Sequence, residues 1–317
     1  WKIFFHGVEK SDARFPRCGK PMNANPPIVV TGACGFIGRR MTARLAKAGR
    51  AVIAVDRVSP PEGLPPGVEY RCADLAAEPL RVPDGILVHL AWNMNRADAR
   101  AQTESAADFA RLLETGAWSG VVGLGSAEEY GNSEGCLEEA QAPGNCLSAY
   151  GTAKHAAGRT LQAWTERQSG RPAFWLRPFV VYGPGQGGSM AIPYAMQCAR
   201  ARKPAEFSAG LQFRDFVHVD DVADGIAQAA LRVSAGNGTF RACNLGRGEP
   251  VRLRDVLERI ADKTRARDLF RFGVRPMRAG EPQKQYAHAG AAAQMLGWQA
   301  RISWETGIDD LCKDGQP

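Results

Sequence analysis

A glycine-rich turn between a short apolar segment and an amphipathic segment constrains the fold of this chain most strongly. Residues 28–31 (IVVT) are typical of a buried strand, and residues 31–38 (TGACGFIG) then place a glycine at every third position. A helical pattern follows over residues 36–48. A second apolar strand, residues 51–55, ends on Asp56. This order of strand, glycine turn, helix and strand predicts a βαβ unit with parallel strands.

Apolar strands and helical patterns continue to alternate along the first half of the chain. Continuous apolar strands of this kind indicate a parallel sheet that is covered on both faces. We therefore predict an α/β fold, with a Rossmann-type doubly wound parallel sheet and a smaller C-terminal α/β substrate domain. The predicted strands are 28–31, 51–55, 68–72, 86–91, 121–126 and 174–176, and the predicted helices are 36–48, 98–116, 150–169, 192–202, 220–234 and 253–264.

Residues 1–27 differ from the rest of the 317-residue chain. They have no hydrophobic period and end in Asn-Ala-Asn-Pro-Pro, so we predict a disordered extension. Their five basic and two acidic residues contribute +3 of the net charge of +7. The remainder has no basic tract and no apolar run of about 18 residues, the length that a membrane helix needs. We therefore expect neither a nucleic-acid partner nor a membrane partner.

Eight cysteines are scattered through the chain, and none forms a C-x-x-C pair or a zinc-site spacing with the five histidines. Several of them lie in apolar strand-like segments, where a free thiol behaves as a small hydrophobe. We therefore expect no metal site, free thiols, and a reducing compartment such as the cytoplasm.

The glycine turn and Asp56 together predict a dinucleotide site. Gly32, Gly35 and Gly38 permit a tight turn, close approach of a diphosphate, and close packing of the helix on the strand. The N-terminus of that helix favours negative charge. A carboxylate at the end of the second strand accepts from ribose hydroxyls and repels a 2′-phosphate, so Asp56 favours NAD over NADP. Arg57 argues the other way, because a guanidinium could pair with that phosphate.

The regular alternation weakens after Pro178, which divides the chain. We predict an NAD-binding Rossmann domain over residues 28–180 and a mainly substrate-binding domain over residues 181–317. Some segments of the second domain are expected to return to the Rossmann sheet. Asp74 follows the third strand, and by its position alone it could face the adenine.

Ser126, Tyr150 and Lys154 form a predicted catalytic set. Tyr150 and Lys154 stand four positions apart and share one face of a helix. A phenol is a poor acid or base near neutral pH unless its anion is stabilised, and a neighbouring ammonium provides that stabilisation. Ser126 ends a strand at the carboxyl edge, where its hydroxyl could hydrogen-bond the reacting oxygen. The alternative for the pair is a tyrosine stacked over a solvated lysine on an exposed face.

These motifs resemble those of the extended short-chain dehydrogenase/reductase family, the NAD-dependent epimerases and dehydratases of sugar nucleotides. The resemblance covers nearly all of residues 28–304. It implies an enzyme that moves a hydride on a sugar nucleotide, and a homodimer formed through a helix pair that includes the Tyr150 helix. The matching segments are TGACGFIG (31–38), VDR (55–57), ADL (73–75), HLA (89–91), GSAEEYG (125–131), YGTAK (150–154), LRPFVVYGPGQ (176–186), RDFVHVDDVA (214–223) and LGW (296–298).

The resemblance also implies a role for each matching residue. Tyr150 is the implied acid/base, Lys154 its partner, and Ser126 the group that polarises the reacting oxygen. Arg177 and Pro178 are expected to end a strand beside the nicotinamide. The implied cofactor-binding residues are Gly32, Gly35, Phe36, Ile37, Gly38, Asp56, Arg57, Asp74, Leu75, Leu90, Ala91, Tyr150, Lys154 and Pro178.

Arg214 is the implied substrate-binding residue. It matches an arginine of the family that holds the substrate diphosphate. The alternative for Arg214 is an ion pair with Asp215 or Asp221, which are close to it in sequence.

The residues after Ser126 bear on which reaction the chain performs. Sugar dehydratases of the family commonly have an Asp–Glu pair there, whereas this chain has Ala127 and Glu128. Glu128 could still be a catalytic base at C5, or it could be an ordinary loop carboxylate. Three hypotheses stay open: a nucleotide-sugar epimerase or 4-ketoreductase, a dehydratase that uses Glu128, and a non-catalytic NAD-binding regulator. The intact set of Ser126, Tyr150 and Lys154 disfavours the last.

Overall fold

The computed structural model describes residues 25–59, 64–145, 148–168, 170–188, 190–234, 238–278 and 280–313. Residues 1–24, nearly all of the predicted disordered extension, lie outside the described residues. Within the described ranges, no helix combines the length and the apolar character that crossing a membrane would require.

A parallel sheet forms the centre of the fold. In the described part of the chain its seven strands are β1 (Ile28–Thr31), β2 (Val52–Asp56), β3 (Val68–Cys72), β4 (Gly85–His89), β5 (Trp118–Leu124), β6 (Ala173–Pro178) and β7 (Phe240–Leu245). Their spatial order is β7-β6-β5-β4-β1-β2-β3, and every neighbouring pair is parallel. The helices are α1 (Gly38–Lys47), α2 (Ala99–Thr115), α3 (Ala149–Arg167), α4 (Ala191–Arg200), α5 (Val219–Val233), α6 (Leu253–Lys263), α7 (Gly290–Leu296) and α8 (Trp304–Lys313).

Helices cover both faces of this sheet. Ile28 and Val30 of β1 pack in one apolar cluster with residues of α1 and α5, whereas Val29 packs in another with residues of α2 and α3. All three side chains are fully buried. Because successive strand residues point to opposite faces, covering both faces requires an apolar residue at every position. The prediction of a Rossmann-type doubly wound α/β fold is confirmed.

The chain after residue 181 builds a smaller layer on α4, α6 and α8, which share a separate apolar cluster. One strand of this part, β7, lies in the central sheet beside β6. That the rest of this region binds substrate stays a prediction. The short strands outside the central sheet are Gly135–Leu137, Val180–Tyr182, Ala205–Glu206, Phe213–Arg214, Phe216–His218, Val251–Arg252, Phe270–Arg271 and Lys284–Ala287.

Two strands end earlier than the sequence pattern predicts. The strand predicted over residues 86–91 ends at His89, and the one predicted over residues 121–126 ends at Leu124. After β4 the backbone at Ala91 passes directly against the glycine turn, so it no longer follows the sheet. The ends of these strands are therefore set by contacts between distant segments, which the apolar pattern does not reveal.

Candidate active site

The glycine turn connects β1 to α1 at the carboxyl edge of the sheet. Gly32 has a φ of +69°, and a Cβ atom there would lie 2.7 Å from the backbone nitrogen of Ala91. A Cβ atom on Gly38 would lie 2.0 Å from the carbonyl oxygen of Gly32. Neither position has room for a side chain. The turn therefore packs closely against both α1 and the loop that carries Leu90 and Ala91.

The N-terminus of α1 is suited to an anion. Ile37 precedes this helix and makes no side-chain capping hydrogen bond, and the first turn of the helix contains no acidic residue. Phe36 and the exposed Gly35 lead into it. The backbone N–H groups and the helix dipole thus favour a negatively charged group beside glycines that keep side chains out of its way. This cradle fits the diphosphate of a dinucleotide such as NAD.

Asp56 ends β2 beside the turn, as predicted from the sequence. One of its carboxylate oxygens accepts a hydrogen bond from the N–H of Cys34 at 2.9 Å, and the other accepts from the N–H of Arg57 at 2.8 Å. These bonds fix the carboxylate in place and leave lone pairs for further donors. The Arg57 residue is exposed. The geometry is suited to binding ribose hydroxyls through Asp56.

Asp74 and Leu75 follow β3. Asp74 is exposed, and its carboxylate accepts from the N–H of Ala76 at 3.0 Å, which is a turn contact. Leu75 packs against the apolar cluster on the α2 and α3 side of the sheet. Neither contact tests the predicted position near the adenine, which stays a prediction.

Ser126 lies two residues beyond β5 and caps a 3₁₀-helix, Ala127–Tyr130, instead of ending the strand. Its hydroxyl accepts from the N–H of Glu128 at 3.1 Å, and its own N–H donates to the Glu129 carboxylate at 2.8 Å. This reciprocal capping satisfies the backbone groups at the helix start. These contacts hold Ser126 at the carboxyl edge of the sheet, and its catalytic role stays a prediction.

Tyr150 and Lys154 lie in the first part of α3, and both are buried, with 6% and 3% of their surface exposed. The Lys154 ammonium donates to the carbonyl oxygen of Leu124 at 2.7 Å and lies 3.6 Å from the centre of the Trp92 ring. Burial lowers the pKa of Lys154 to about 7, although the negative charge of Glu129 opposes the shift. The pair is not a solvated pair on an exposed face, so that alternative is wrong.

Burial has the opposite effect on the phenol, because it disfavours the tyrosinate and raises the pKa of Tyr150 to about 12. The positive charge of Arg96 opposes this increase, the negative charge of Glu128 adds to it, and a hydrogen bond with Ser126 opposes it. The Lys154 ammonium lies 5.7 Å from the centre of the Tyr150 ring. The structure thus brings Ser126, Tyr150 and Lys154 together, and a tyrosinate there requires nearby positive charge.

Arg177 forms a buried ion pair behind Ser126. Its Nε atom lies 3.0 Å from a carboxylate oxygen of Glu129, and the side chains are 13% and 1% exposed. Glu129 also accepts hydrogen bonds from the indole N–H of Trp175. Arg177 and Pro178 end β6 as expected, but the guanidinium points into this network. Arg177 therefore supports the loop that carries Ser126.

Glu128 is engaged by two partners. One oxygen pairs with the guanidinium of Arg96 at 2.6 Å, and the other accepts from the hydroxyl of Ser148 at 2.6 Å. Arg96 also lies over the ring of Tyr150, with 4.4 Å between its guanidinium carbon and the ring centre. Glu128 is thus neither a free base nor an unpaired loop carboxylate. Its charge is partly neutralised beside the phenol.

Arg214 pairs with Glu281, at 2.8 Å between Nη2 and Oε1, and is only partly exposed. The suggested ion pairs with Asp215 and Asp221 are therefore wrong. Asp215 accepts instead from the backbone N–H groups of residues 247, 248 and 287, and Asp221 accepts from those of residues 301 and 302. Arg214 and Glu281 line a mainly apolar cavity of about 110 Å³.

No sequence motif indicated Trp92, Arg96 or Glu281 as residues of the site. Trp92 directly follows the HLA segment, and that position was the one available signal for it. Arg96 and Glu281 lie in loops without a helical or strand pattern, and their partners are distant in sequence. Among the described residues, no group of three His, Cys, Asp or Glu side chains is arranged to hold a metal ion.

The comparison with known protein families agrees with this geometry. The model of the NAD dependent epimerase/dehydratase family matches residues 28–246, which is more than half of the chain. The chain belongs to this family. The predicted family, and with it the prediction of an NAD-dependent enzyme, are confirmed.

Individual relatives cover nearly the whole chain. A UDP-glucose 4-epimerase of Drosophila melanogaster is 26% identical, over 92% of this chain and 95% of that protein. A CDP-abequose synthase of Salmonella muenchen is 22% identical, over 92% of this chain and 98% of that protein. A solved structure of MoeE5 in complex with UDP-glucose and NAD has a TM-score of 0.79 and 30% identity, over 90% of this chain and 97% of that one.

Proposed function

We propose that this protein is an NAD-dependent 4-epimerase of a UDP-hexose. The observation that carries the proposal is the convergence of Ser126, Tyr150 and Lys154 at the carboxyl edge of the sheet, beside a glycine turn suited to a diphosphate. An epimerase needs no further acid or base than this set. The similarity to UDP-glucose 4-epimerases and to MoeE5 with UDP-glucose and NAD supports the choice of nucleotide and sugar.

In this mechanism Tyr150 moves the proton and its neighbours control its charge. The Tyr150 oxygen, as tyrosinate, accepts the proton of the C4 hydroxyl and later returns it to the same oxygen. The Lys154 ammonium stabilises the tyrosinate, and the Ser126 hydroxyl hydrogen-bonds the reacting oxygen. NAD, when bound, would supply reversible hydride-acceptor chemistry at C4, so that no net oxidation of the sugar is expected. The buried Glu129 favours the charged form of Lys154.

The proposed cofactor contacts are those that the resemblance implies, and the geometry of the glycine turn supports them. The backbone at the start of α1 binds the diphosphate, and Asp56 accepts from the adenosine ribose. Lys154 also reaches the nicotinamide ribose. The complete proposed set is Gly32, Gly35, Phe36, Ile37, Gly38, Asp56, Arg57, Asp74, Leu75, Leu90, Ala91, Tyr150, Lys154 and Pro178.

The contacts of Glu128 argue against the dehydratase hypothesis. A dehydratase needs a carboxylate that is free to remove a proton at C5. Both oxygens of Glu128 are already engaged, one by Arg96 and one by Ser148. We propose that Glu128 acts at the site by holding Arg96 and not by removing a substrate proton.

Arg214 is proposed to bind the diphosphate of the substrate. It lines the cavity next to Glu281, and a guanidinium has five N–H donors, so the ion pair leaves donors for phosphate oxygens. Apolar residues of the same cavity, such as Val180 and Phe216, are suited to contact the nucleoside.

The proposed assembly is a homodimer in the cytoplasm. Helices α2 and α3 lie side by side on the sheet, and the outward positions of α3 include the small residues Thr152 and Ala156, which permit close helix packing. The six cysteines among the described residues are free thiols, which is usual in a reducing compartment.

The decisive experiment is an epimerisation assay with UDP-galactose and UDP-glucose on the purified protein and on Tyr150→Phe. We expect interconversion without net reduction of added NAD, and a decrease of about 10²–10⁴-fold in kcat for Tyr150→Phe with NAD binding retained. Full activity of Tyr150→Phe would contradict the mechanism. Stoichiometric consumption of NADPH with a 4-keto sugar, without epimerisation, would identify a reductase instead.

A further inference from the structure

Arg96 lies over the ring of Tyr150 in a position that no sequence motif marks. It belongs to the loop between β4 and α2, and its guanidinium carbon lies 4.4 Å from the ring centre. A cation within about 6 Å of an aromatic ring is attracted to its face. Because this ring belongs to the proposed acid/base, the same charge also acts on the phenolic oxygen.

Glu128 fixes the position of Arg96. It pairs with the guanidinium through one oxygen at 2.6 Å and accepts from Ser148 through the other. The Ser148 hydroxyl in turn accepts from the N–H of Gly151 and caps the N-terminus of α3. Charge-assisted hydrogen bonds therefore connect the Arg96 loop, the 3₁₀-helix and the helix that carries Tyr150.

The other charged groups near Tyr150 do not replace the positive charge of Arg96. Glu129 of the 3₁₀-helix is negative but is paired with Arg177 of β6. Lys154 of α3 is positive, but its burial lowers its pKa to about 7, so its positive charge is incomplete near neutral pH. A guanidinium remains charged throughout the working pH range. Arg96 therefore supplies the permanent positive charge next to the ring.

We propose that Arg96 is a positioning residue for the acid/base, whose guanidinium, held by Glu128, stabilises the negative charge on the Tyr150 oxygen together with Lys154. Glu128 limits this effect because it partly neutralises the guanidinium. Arg96 lowers the pKa of Tyr150 by more than Glu128 raises it. The importance of this effect for turnover rests on the proposed function, in which Tyr150 accepts a proton.

The test compares Arg96→Met, Glu128→Gln, the double variant and Arg96→Lys with the wild-type holoenzyme. Two quantities are measured from about pH 6 to the highest pH at which circular dichroism shows an intact fold: kcat/KM for UDP-galactose, and the tyrosinate absorbance that disappears in Tyr150→Phe. Because burial raises the pKa of Tyr150 to about 12, the variants are compared in the rising part of the titration, near the top of this range. The absorbance requires no turnover. It therefore tests the effect of Arg96 on Tyr150 even if neither UDP-sugar is a substrate, whereas the absence of epimerisation in the wild type would refute the proposed function.

We expect the acid limb of the profile and the tyrosinate titration to move to higher pH in Arg96→Met, by on the order of one pH unit. They should move to lower pH in Glu128→Gln, fall between the two in the double variant, and stay near wild type in Arg96→Lys. If Arg96 and Glu128 only hold the loops together, both single variants should lose activity without any shift of the two titrations in pH. That result, or shifts in the same direction, would overturn the proposal.

Discussion

Glu128 and Glu129 are adjacent in sequence, and each pairs with an arginine, but the two pairs lie in different surroundings. In the Glu129–Arg177 pair the side chains are 1% and 13% exposed, whereas in the Glu128–Arg96 pair they are 36% and 34% exposed. The first pair lies in the core behind Ser126, and the second is half-buried beside Tyr150. The same two residue types thus form one ion pair in the core and another beside the proposed acid/base.

The difference shows that burial decides what an ion pair does. A buried carboxylate has lost its hydration, so every oxygen must be satisfied by the protein. Glu129 meets this requirement with the N–H of Ser126, the indole of Trp175 and the guanidinium of Arg177. Solvent partly screens the half-buried Glu128–Arg96 pair, so we expect this pair to add little stability while it still influences a neighbouring phenol.

Replacing each arginine with methionine tests this comparison directly and gives the largest expected effect. Arg177→Met removes the guanidinium that pairs with the buried Glu129 carboxylate, so we expect the free energy of unfolding to fall by about 3–5 kcal/mol. Arg96→Met is the matched control, with an expected loss of about 1 kcal/mol or less because about a third of each side chain in its pair is open to solvent. Urea denaturation followed by circular dichroism measures both changes.

Equal losses in the two variants would contradict the distinction between the pairs. A larger loss in Arg96→Met would reverse it, and would mean that the Glu128–Arg96 pair maintains the fold. The variant Glu129→Gln adds a second measurement on the buried side. It retains hydrogen-bonding groups but leaves the Arg177 charge unpaired, so its stability should also fall below that of Glu128→Gln.

Lys154 extends the comparison to a buried cation. Its pKa is about 7 in the folded protein, against a reference value of about 10.4 for an unfolded chain. Between these values the unfolded state binds more protons than the folded state, so stability rises with pH. Relative to Lys154→Met, the wild type should gain up to about 1.4 kcal/mol of unfolding free energy per pH unit between about pH 7 and 10.

The measurement is urea denaturation at several pH values without added NAD. Lys154→Arg is the control, because a guanidinium stays charged and should be destabilising throughout the range. Parallel stability curves for the wild type and Lys154→Met would show that Lys154 titrates at the same pH in the folded and unfolded states. The buried surroundings of Lys154 would then not lower its pKa.

Local patterns were sufficient to predict much of the fold. The bounds of β1 and β3 agree with the prediction, and α2 begins after Asp98, whose carboxylate accepts from the N–H of Ala101. Tyr150 and Lys154 could be found because their spacing on one helix is itself local. Helical periodicity and helix capping depend on residues that are close together in the sequence, so both can be recognised without a structure.

Contacts between distant segments could not be predicted in the same way. For Arg214 the alternative to substrate binding was an ion pair with Asp215 or Asp221, but the fold brings Glu281 to it, while backbone N–H groups engage both aspartates. Arg96 reaches Tyr150 from a loop with no periodic pattern. The sequence also does not show which of Glu128 and Glu129 is buried, because the 3₁₀-helix after Ser126 decides it.

The smallest predicted effect concerns Ser148, which connects the Glu128–Arg96 pair to the start of α3. Its hydroxyl accepts from the N–H of Gly151 at 3.0 Å as the helix cap and donates to Glu128 at 2.6 Å. Ser148→Ala removes both bonds, and we expect a loss of about 1 kcal/mol, typical of a missing N-cap.

Ser148→Asp restores the cap but places a second carboxylate against Glu128, so its recovery should be incomplete. In a Glu128→Gln background this repulsion is absent, and Ser148→Asp should then regain wild-type stability in urea denaturation. Equal instability of Ser148→Asp in both backgrounds would show that Ser148 does not connect the cap to Glu128. The Glu128–Arg96 pair would then be independent of the helix that carries Tyr150.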